Sequence, residues 1–350
     1  KKFFKLTKMR ILFLLLSLVS FKIFSAEMDR VHINYEDQKR YFLIHEPDAY
    51  SSSNPINLVI GLHGYTGTAS GFEKETTGGF NKSADEYGFI AAYPQGEFFY
   101  DRGFFFKSYV SAWNDLTGSR TKAPNDKGKI CAADAPSYNQ FKSCKGKDVG
   151  RCAWASCLDD IGFIKDIILN IKSTHNIDKV YVVGMSNGGM MAHAFACKHP
   201  ELVDGVLNVV GLPHLGLNCI PTKPVNYIVY AGFKDDIVPP VNIVSWDKYY
   251  YEPMENVVNE WKAAFNCKNI ETNKSDSKYT IHEQEFSQCN NGVKLISLLN
   301  MDGGHTWPGI EDDNAGNCRS DDQSDINFPK CKNLNNLWGN NYLLPKLLNL

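Results

Sequence analysis

Gly184-Met185-Ser186-Asn187-Gly188 directly follows the apolar run Val180-Tyr181-Val182-Val183. The run reads as a strand, and Gly189-Met190-Met191-Ala192-His193-Ala194-Phe195-Ala196 continues a helix that opens at about Asn187. G-x-S-x-G between a strand and a helix is a device for presenting a nucleophile. The glycines permit a sharp bend, the serine hydroxyl projects from the carboxyl end of the strand, and the helix start aims free N–H groups at whatever the hydroxyl attacks. A plain Gly-rich turn with a surface serine would carry the same letters, so the partners of Ser186 decide. A serine needs a base, and the base needs an orienting acid. In a sheet of this kind they follow the serine in the order acid, then histidine, each on a loop beyond a strand. Tyr227-Ile228-Val229-Tyr230 is strand-like and leads through Ala231-Gly232-Phe233-Lys234 to Asp235, the expected acid, with Asp236 as the alternative. Lys294 to Leu299 is strand-like and is followed by Gly303-Gly304-His305-Thr306-Trp307-Pro308. Of 9 histidines, His305 alone stands after a strand, after the acid and beside two glycines.

An oxyanion formed at Ser186 needs two backbone donors, one after the serine and one from an early strand-to-helix loop. The backbone N–H groups of Asn187 and of Tyr65, in Leu62-His63-Gly64-Tyr65-Thr66-Gly67, are the expected pair. His63 reads as a hydrogen-bonding group of that turn rather than a second base. Trp113 and Trp307 are the expected substrate contacts, since an indole offers a flat apolar wall; packing under a long loop is the competing role for Trp113. Asp159 and Asp160 read as capping acids of a following helix.

These residues need elements to hold them. Val31 to Glu46 reads as two antiparallel edge strands around Glu36-Asp37-Gln38-Lys39, and Asn57 to Leu62 as a buried strand. A helix over Gly78 to Tyr87 and a strand over Phe89 to Tyr93 follow. Gln95 to Cys157 is irregular, aromatic and cysteine-rich, and a connection of that length is usually functional. Beyond it lie a helix over Asp160 to His175, short apolar runs at Gly205 to Val210 and Val225 to Tyr230, a helix over Glu252 to Phe265, strands over Tyr279 to Phe286 and Val293 to Leu299, and a closing helix over Asn333 to Leu348 interrupted by Pro345. Strands alternating with helices predict an α/β fold: a mostly parallel central sheet with helices on both faces.

Lys1, Lys2, Lys5, Lys8 and Arg10 precede the apolar run Ile11 to Phe21, which is too short to span a bilayer, so residues 1–26 are expected to be a signal peptide and 27–350 one catalytic domain. The 10 cysteines agree with export and lack metal-knuckle spacing. Neighbouring pairs are the simplest assignment: Cys197–Cys219, Cys267–Cys289 and Cys318–Cys331, with two more bridges among Cys131, Cys144, Cys152 and Cys157. A formal charge of -2, with no basic stripe, argues against nucleic acid. The tract Asp312 to Asp325 reads as a solvated acidic loop, because its spacing fits no calcium loop. Asn81-Lys82-Ser83 and Asn273-Lys274-Ser275 are sequons.

His63-Gly64, Tyr93-Pro94-Gln95-Gly96, Trp113-Asn114, Asp159-Asp160-Ile161-Gly162-Phe163-Ile164, Gly184-Met185-Ser186-Asn187-Gly188-Gly189-Met190-Met191 and Gly304-His305-Thr306-Trp307-Pro308-Gly309 occur in that order. Together they resemble the secreted polyhydroxybutyrate depolymerase and feruloyl esterase-like α/β-hydrolases over about residues 31 to 310. The resemblance implies an α/β-hydrolase fold with disulfide-stabilised loops. It implies a triad of Ser186, Asp235 and His305, with Tyr65 and Asn187 as oxyanion donors. The chain departs from that pattern at Ala231, where the family usually has histidine, and at Asp236, where it has proline. The implied activity is a secreted carboxylic ester hydrolase without metal or other cofactor. Its substrates would be a polyester or short-chain esters, the alternative being feruloyl or acetyl esters of plant cell-wall polysaccharide. A serine peptidase or lipase, and a non-catalytic binding protein, are weaker readings of the same fold. A monomer is expected, with no membrane contact once the leader is removed.

Overall fold

A computed structural model of the chain describes residues 28–349 apart from 77–78, 103–106, 118–128, 148–151, 153, 276–278 and 310–337. Its strands are β1 (Asp29–Tyr35), β2 (Gln38–His45), β3 (Ile56–Leu62), β4 (Phe89–Pro94), β5 (Glu97–Arg102), β6 (Lys107–Ala112), β7 (Ile177–Met185), β8 (Gly205–Val209), β9 (Asn226–Gly232), β10 (Asn269–Ser275), β11 (Ile281–Ser287) and β12 (Leu295–Asn300). The helices are α1 (Ala69–Glu75), α2 (Phe80–Tyr87), α3 (Asp160–Thr174), α4 (Asn187–Lys198), α5 (Met254–Ala264) and α6 (Trp338–Leu348).

Ten strands form one sheet in the order β1-β2-β4-β3-β7-β8-β9-β12-β11-β10. The middle six, from β4 to β12, are parallel. An antiparallel hairpin closes each end. The parallel strands β3, β7, β8 and β9 are buried almost throughout, as strands covered on both faces must be. Alternate side chains feed two cores. Leu58, Ile60, Val180 and Val182 face Ile164, Phe195 and Trp261 of α3, α4 and α5. Val59, Tyr181 and Val183 face Phe72, Phe80 and Leu344 of α1, α2 and α6. The expected α/β architecture with helices on both faces is what the chain adopts.

The chain steps from β3 to β4 on one side and returns to β7 on the other, so the strand order reverses between β3 and β7. A crevice opens outside the carboxyl ends of the strands at such a reversal, and both the turn after β3 and the serine turn after β7 sit there.

Local outcomes have visible reasons. The β1–β2 turn uses Glu36 and Asp37 at φ 45 and 60, the twist that a tight hairpin favours. Gly88 ends α2 in the left-handed conformation. Pro345 does not break the last helix, which runs through it. Asn81 is buried, with its Oδ1 accepting the Tyr93 hydroxyl at 2.6 Å, so its sequon does not lie on the open surface. The helix α1, the β5–β6 hairpin and the edge strand β10 were not expected. The irregular segment after β6 is stapled by Cys131–Cys152 and Cys144–Cys157. Cys197–Cys219 and Cys267–Cys289 pair as neighbouring spacing suggested. Closing loops of 13 to 22 residues contributes about 3 kcal/mol per bridge in the chain-entropy account. Cys318 and Cys331, residues 1–26 expected as a signal peptide, and the tract Asp312 to Asp325 lie outside the described residues. Among the described residues no helix is long and apolar enough to cross a membrane.

Candidate active site

Ser186 sits between β7 and α4 at φ 56, ψ -124, a conformation costly for a residue with a Cβ. The bend is tight enough to demand its glycines. A Cβ on Gly184 would lie 2.0 Å from the Gly188 carbonyl oxygen, and one on Gly188 would lie 2.1 Å from that of Leu62. The backbone at Ser186 is pinned by its N–H to the Val209 carbonyl, 2.9 Å.

The hydroxyl meets His305 Nε2 at 2.8 Å, and His305 Nδ1 meets Asp235 Oδ2 at 2.8 Å. The other carboxylate oxygen of Asp235 accepts the N–H groups of Ile237 (2.9 Å) and Val238 (2.8 Å), and the carboxylate is fully buried. Two backbone bonds tie the acid loop to the histidine loop: Phe233 N–H to Asn300 O at 2.8 Å and Lys234 N–H to Gly303 O at 2.9 Å. Asp236, the alternative acid, is exposed. The arrangement can pass the Ser186 proton to His305 while Asp235 holds the ring and balances its charge.

On the far side of the serine is the turn after β3. A Cβ on Gly64 would lie 3.3 Å from the Ser186 Cβ, which places the Gly64-Tyr65 backbone beside the Ser186 side chain. Asn187 opens α4, so its N–H has no acceptor within that helix. The Asn187 side chain is buried and works as a brace: Oδ1 accepts the Trp113 N–H at 2.7 Å and Nδ2 donates to the Trp113 carbonyl at 3.3 Å.

His63 is fully buried behind this turn. Its Nε2 accepts the Gly96 N–H at 3.1 Å, so Nδ1 carries the proton and donates to the Gly64 carbonyl at 2.8 Å. Burial holds its pKa down at about 4, leaving a neutral ring.

Three expectations need correction. Trp113 is fully buried; its Nε1 donates to the His63 carbonyl at 2.8 Å and its ring lies 4.8 Å from the His63 ring. It braces the turn after β3 through His63 rather than facing a substrate. Trp307 is fully buried as well, edge-on to Phe72 and Phe80, with Nε1 donating to Asn340 Oδ1 at 2.9 Å. It fastens α6 under the histidine loop. Asp159 caps α3 through the Gly162 N–H (3.0 Å), but Asp160 does not cap. It is buried against Arg40 at 2.6 Å and accepts the Asn114 N–H at 2.7 Å, coupling the edge hairpin to the segment after Trp113.

The aromatic residues that do gather around Tyr65 come from distant segments. Tyr65 lies edge-on to Trp154 (5.6 Å) and Tyr138 (5.9 Å), and Trp154 touches His214, whose ring stacks on Tyr251 at 4.5 Å. No local signal marks them, because their meeting depends on the stapled segment and on the loop after β8. Among the described residues, the one group with metal-ligand proximity is His193, Cys197 and Cys219. Its two sulfurs are bonded to each other, so it offers no thiolate.

A sequence model described as the alpha/beta hydrolase fold matches residues 133–250. The chain has the α/β-hydrolase fold. It is 24% identical over 168 residues to "Putative esterase NocK" of Nocardia uniformis subsp. tsuyamanensis, covering 43% of this chain and 49% of that one, so it spans about half the length of that relative. Among solved structures, an acetyl xylan esterase from Aspergillus awamori superposes with a TM-score of 0.50 at 16% identity, over 81% of this chain and 96% of the other. At that identity the likeness speaks for the fold.

Proposed function

We propose that this α/β-hydrolase is a carboxylic ester hydrolase working through Ser186, His305 and Asp235. The observation that carries the reading is the unbroken relay of two 2.8 Å contacts, built on a serine held in a strained turn. His305 takes the hydroxyl proton as Ser186 attacks the ester carbonyl, and the backbone N–H groups of Tyr65 and Asn187 hold the oxyanion. His305 then protonates the departing alcohol, leaving an acyl-Ser186 ester. Water deprotonated by His305 releases the acid. Asp235, held in place by two backbone N–H donors, orients the ring and steadies the imidazolium.

The aromatic surroundings of Tyr65 favour an ester with an uncharged, apolar acyl or alcohol group. Polyester segments and short-chain esters fit that description, and feruloyl or acetyl esters of cell-wall polysaccharide are the competing substrates. A disulfide-bonded, exported protein is part of the same reading. Ser186→Ala is expected to leave a folded chain whose hydrolysis of nitrophenyl acetate falls to the uncatalysed rate. Near-native turnover by that variant would overturn the assignment. Nitrophenyl esters of rising chain length, methyl ferulate, acetylated xylan and a polyester film, compared by kcat/KM, separate the substrates.

A further inference from the structure

Nine large hydrophobic side chains are exposed among the described residues, and six of them belong to residues 233–246: Phe233, Ile237, Val241, Ile243, Val244 and Trp246. Single exposed hydrophobics are ordinary; a run of them is not. This stretch is also the one that carries Asp235.

Backbone bonds fix where it lies. Phe233 is tied at the root of the histidine loop through Asn300 O, 2.8 Å. Trp246 N–H donates to the Asp236 carbonyl at 2.9 Å, so the indole is attached next to the acid. Residues 243–251 form a narrow hairpin, with Tyr251 N–H to Ile243 O at 2.9 Å, Ser245 N–H to Tyr249 O at 2.9 Å and Lys248 at φ 66 closing the turn. Trp246, 64% exposed, sits in that turn. The hairpin is held rigid from behind by Ala132 N–H to Lys248 O and Tyr250 N–H to Ile130 O, both 2.9 Å, beside the Cys131–Cys152 bridge. It carries no basic cluster: residues 233–251 hold two lysines against three aspartates, Lys248 pairs with Asp134, and Asp247 is buried and accepts the Tyr138 and Ser245 hydroxyls.

We propose that this apolar wedge inserts into a lipid–water interface of zwitterionic or uncharged lipid and so brings the crevice of Ser186 to esters held there. The proposal rests on the esterase reading for its use, not for the binding itself. A convex turn headed by an indole suits a phase that yields around it, and tryptophan settles at the boundary between headgroups and hydrocarbon. A flat solid would meet the tip alone. A second copy of this chain covering the wedge would also cover the edge where Asp235 and His305 meet. The absence of a basic cluster in the wedge removes the attraction that anionic lipid would add. An interfacial loop needs no spanning helix, so it leaves no long apolar run, which is why the sequence suggested no membrane contact.

The test compares the full chain with a Trp246→Ser/Val244→Ser variant on phosphatidylcholine vesicles. Cosedimentation is read at about 0.1 M and about 1 M salt, over which the screening length falls from ~10 Å to ~3 Å. The parent is expected to bind equally at both. The variant should bind at least about tenfold more weakly, because two large apolar side chains no longer leave water. Both should hydrolyse soluble nitrophenyl acetate at the same rate. No vesicle binding by the parent, undiminished binding by the variant, or adsorption to a polyester film without vesicle binding would overturn the proposal. So would a dimer in sedimentation velocity that the variant abolishes. If soluble turnover is absent in the parent, the esterase reading fails and the vesicle result still decides the wedge; Ser186→Ala should bind vesicles as the parent does.

Discussion

Two turns at the carboxyl edge of the sheet each set a histidine beside glycine: His63-Gly64 after β3 and Gly304-His305 after β12. They lie on opposite sides of Ser186, yet their histidines are opposites in chemistry. His63 has no exposed surface, and both ring nitrogens are taken by backbone groups, so its proton has nowhere to go. His305 keeps 14% of its side-chain surface open and faces two side chains, the Ser186 hydroxyl and the Asp235 carboxyl. The sequence reads His63 as a hydrogen-bonding group of its turn and His305 as the expected base, and the ring surroundings supply the physical reason. Burial and the identity of the ring partners, not the residue type, separate a base from a brace.

The sharpest way to break this contrast is to remove each ring. His305→Ala should lower kcat on nitrophenyl acetate by roughly 10⁴-fold or more, as loss of a triad base does elsewhere, with the thermal midpoint little changed. His63→Phe should do the reverse. It strands the buried Gly96 N–H and the Gly64 carbonyl, at about 1–3 kcal/mol each, and its larger effect should appear in urea denaturation. If His63→Phe costs activity as heavily as His305→Ala while leaving the midpoint alone, the two roles have been assigned the wrong way round.

The acid loop sharpens the same point at a smaller scale. Asp235 and Asp236 are neighbours, but one is buried with three hydrogen-bond partners on its carboxylate and the other is exposed. Asp235→Asn should lower kcat by on the order of 10³- to 10⁴-fold, because an amide can hold the imidazole in the wrong tautomer. Asp236→Asn should stay within about threefold of the parent, since exposed charges couple weakly. Equal losses in the two variants would mean that the loop, not a particular carboxylate, supports His305.

What was legible in the sequence follows from range. The strands β3, β7 and β9 are continuous apolar runs because both of their faces are covered, so a local window finds them. Ser186, Asp235 and His305 each stand just past such a run, and because the parallel sheet brings strand ends to one edge, the sequence could anticipate that they meet. Trp113 and Trp307 were misjudged because an indole looks the same in a window whether it walls a pocket or fills a core. Their partners, the His63 carbonyl and Asn340, lie 50 and 33 residues away. Asp160 was misjudged for the same reason, its partner Arg40 being on the edge hairpin. The β5–β6 hairpin was hidden inside a segment whose course depends on two disulfides, and spacing alone does not settle pairing.

Stability against pH isolates the braced histidine. His63 has a folded pKa of about 4 against an ordinary value of 6.5. Between those values the unfolded chain binds a proton that the folded chain refuses, so stability rises with pH across the window. The contribution of the neutral ring is complete above about 6.5 and is lost as the solution is acidified towards 4; the shift corresponds to on the order of 3 kcal/mol. His193, buried behind α4 and held down to about 4 by the same desolvation, adds a term of the same sign. Asp115, whose carboxyl is pushed up by burial, works in the opposite sense at the acid end. The difference between the parent and His63→Phe cancels both background groups. The unfolding free energy of the parent should fall more steeply from pH 7 to pH 4.5 than that of the variant, so the gap between them narrows on acidification. A gap that stays constant across that range would show that His63 takes up its proton as easily in the folded chain as in the unfolded one, and the distinction between the two turns would lose its physical basis.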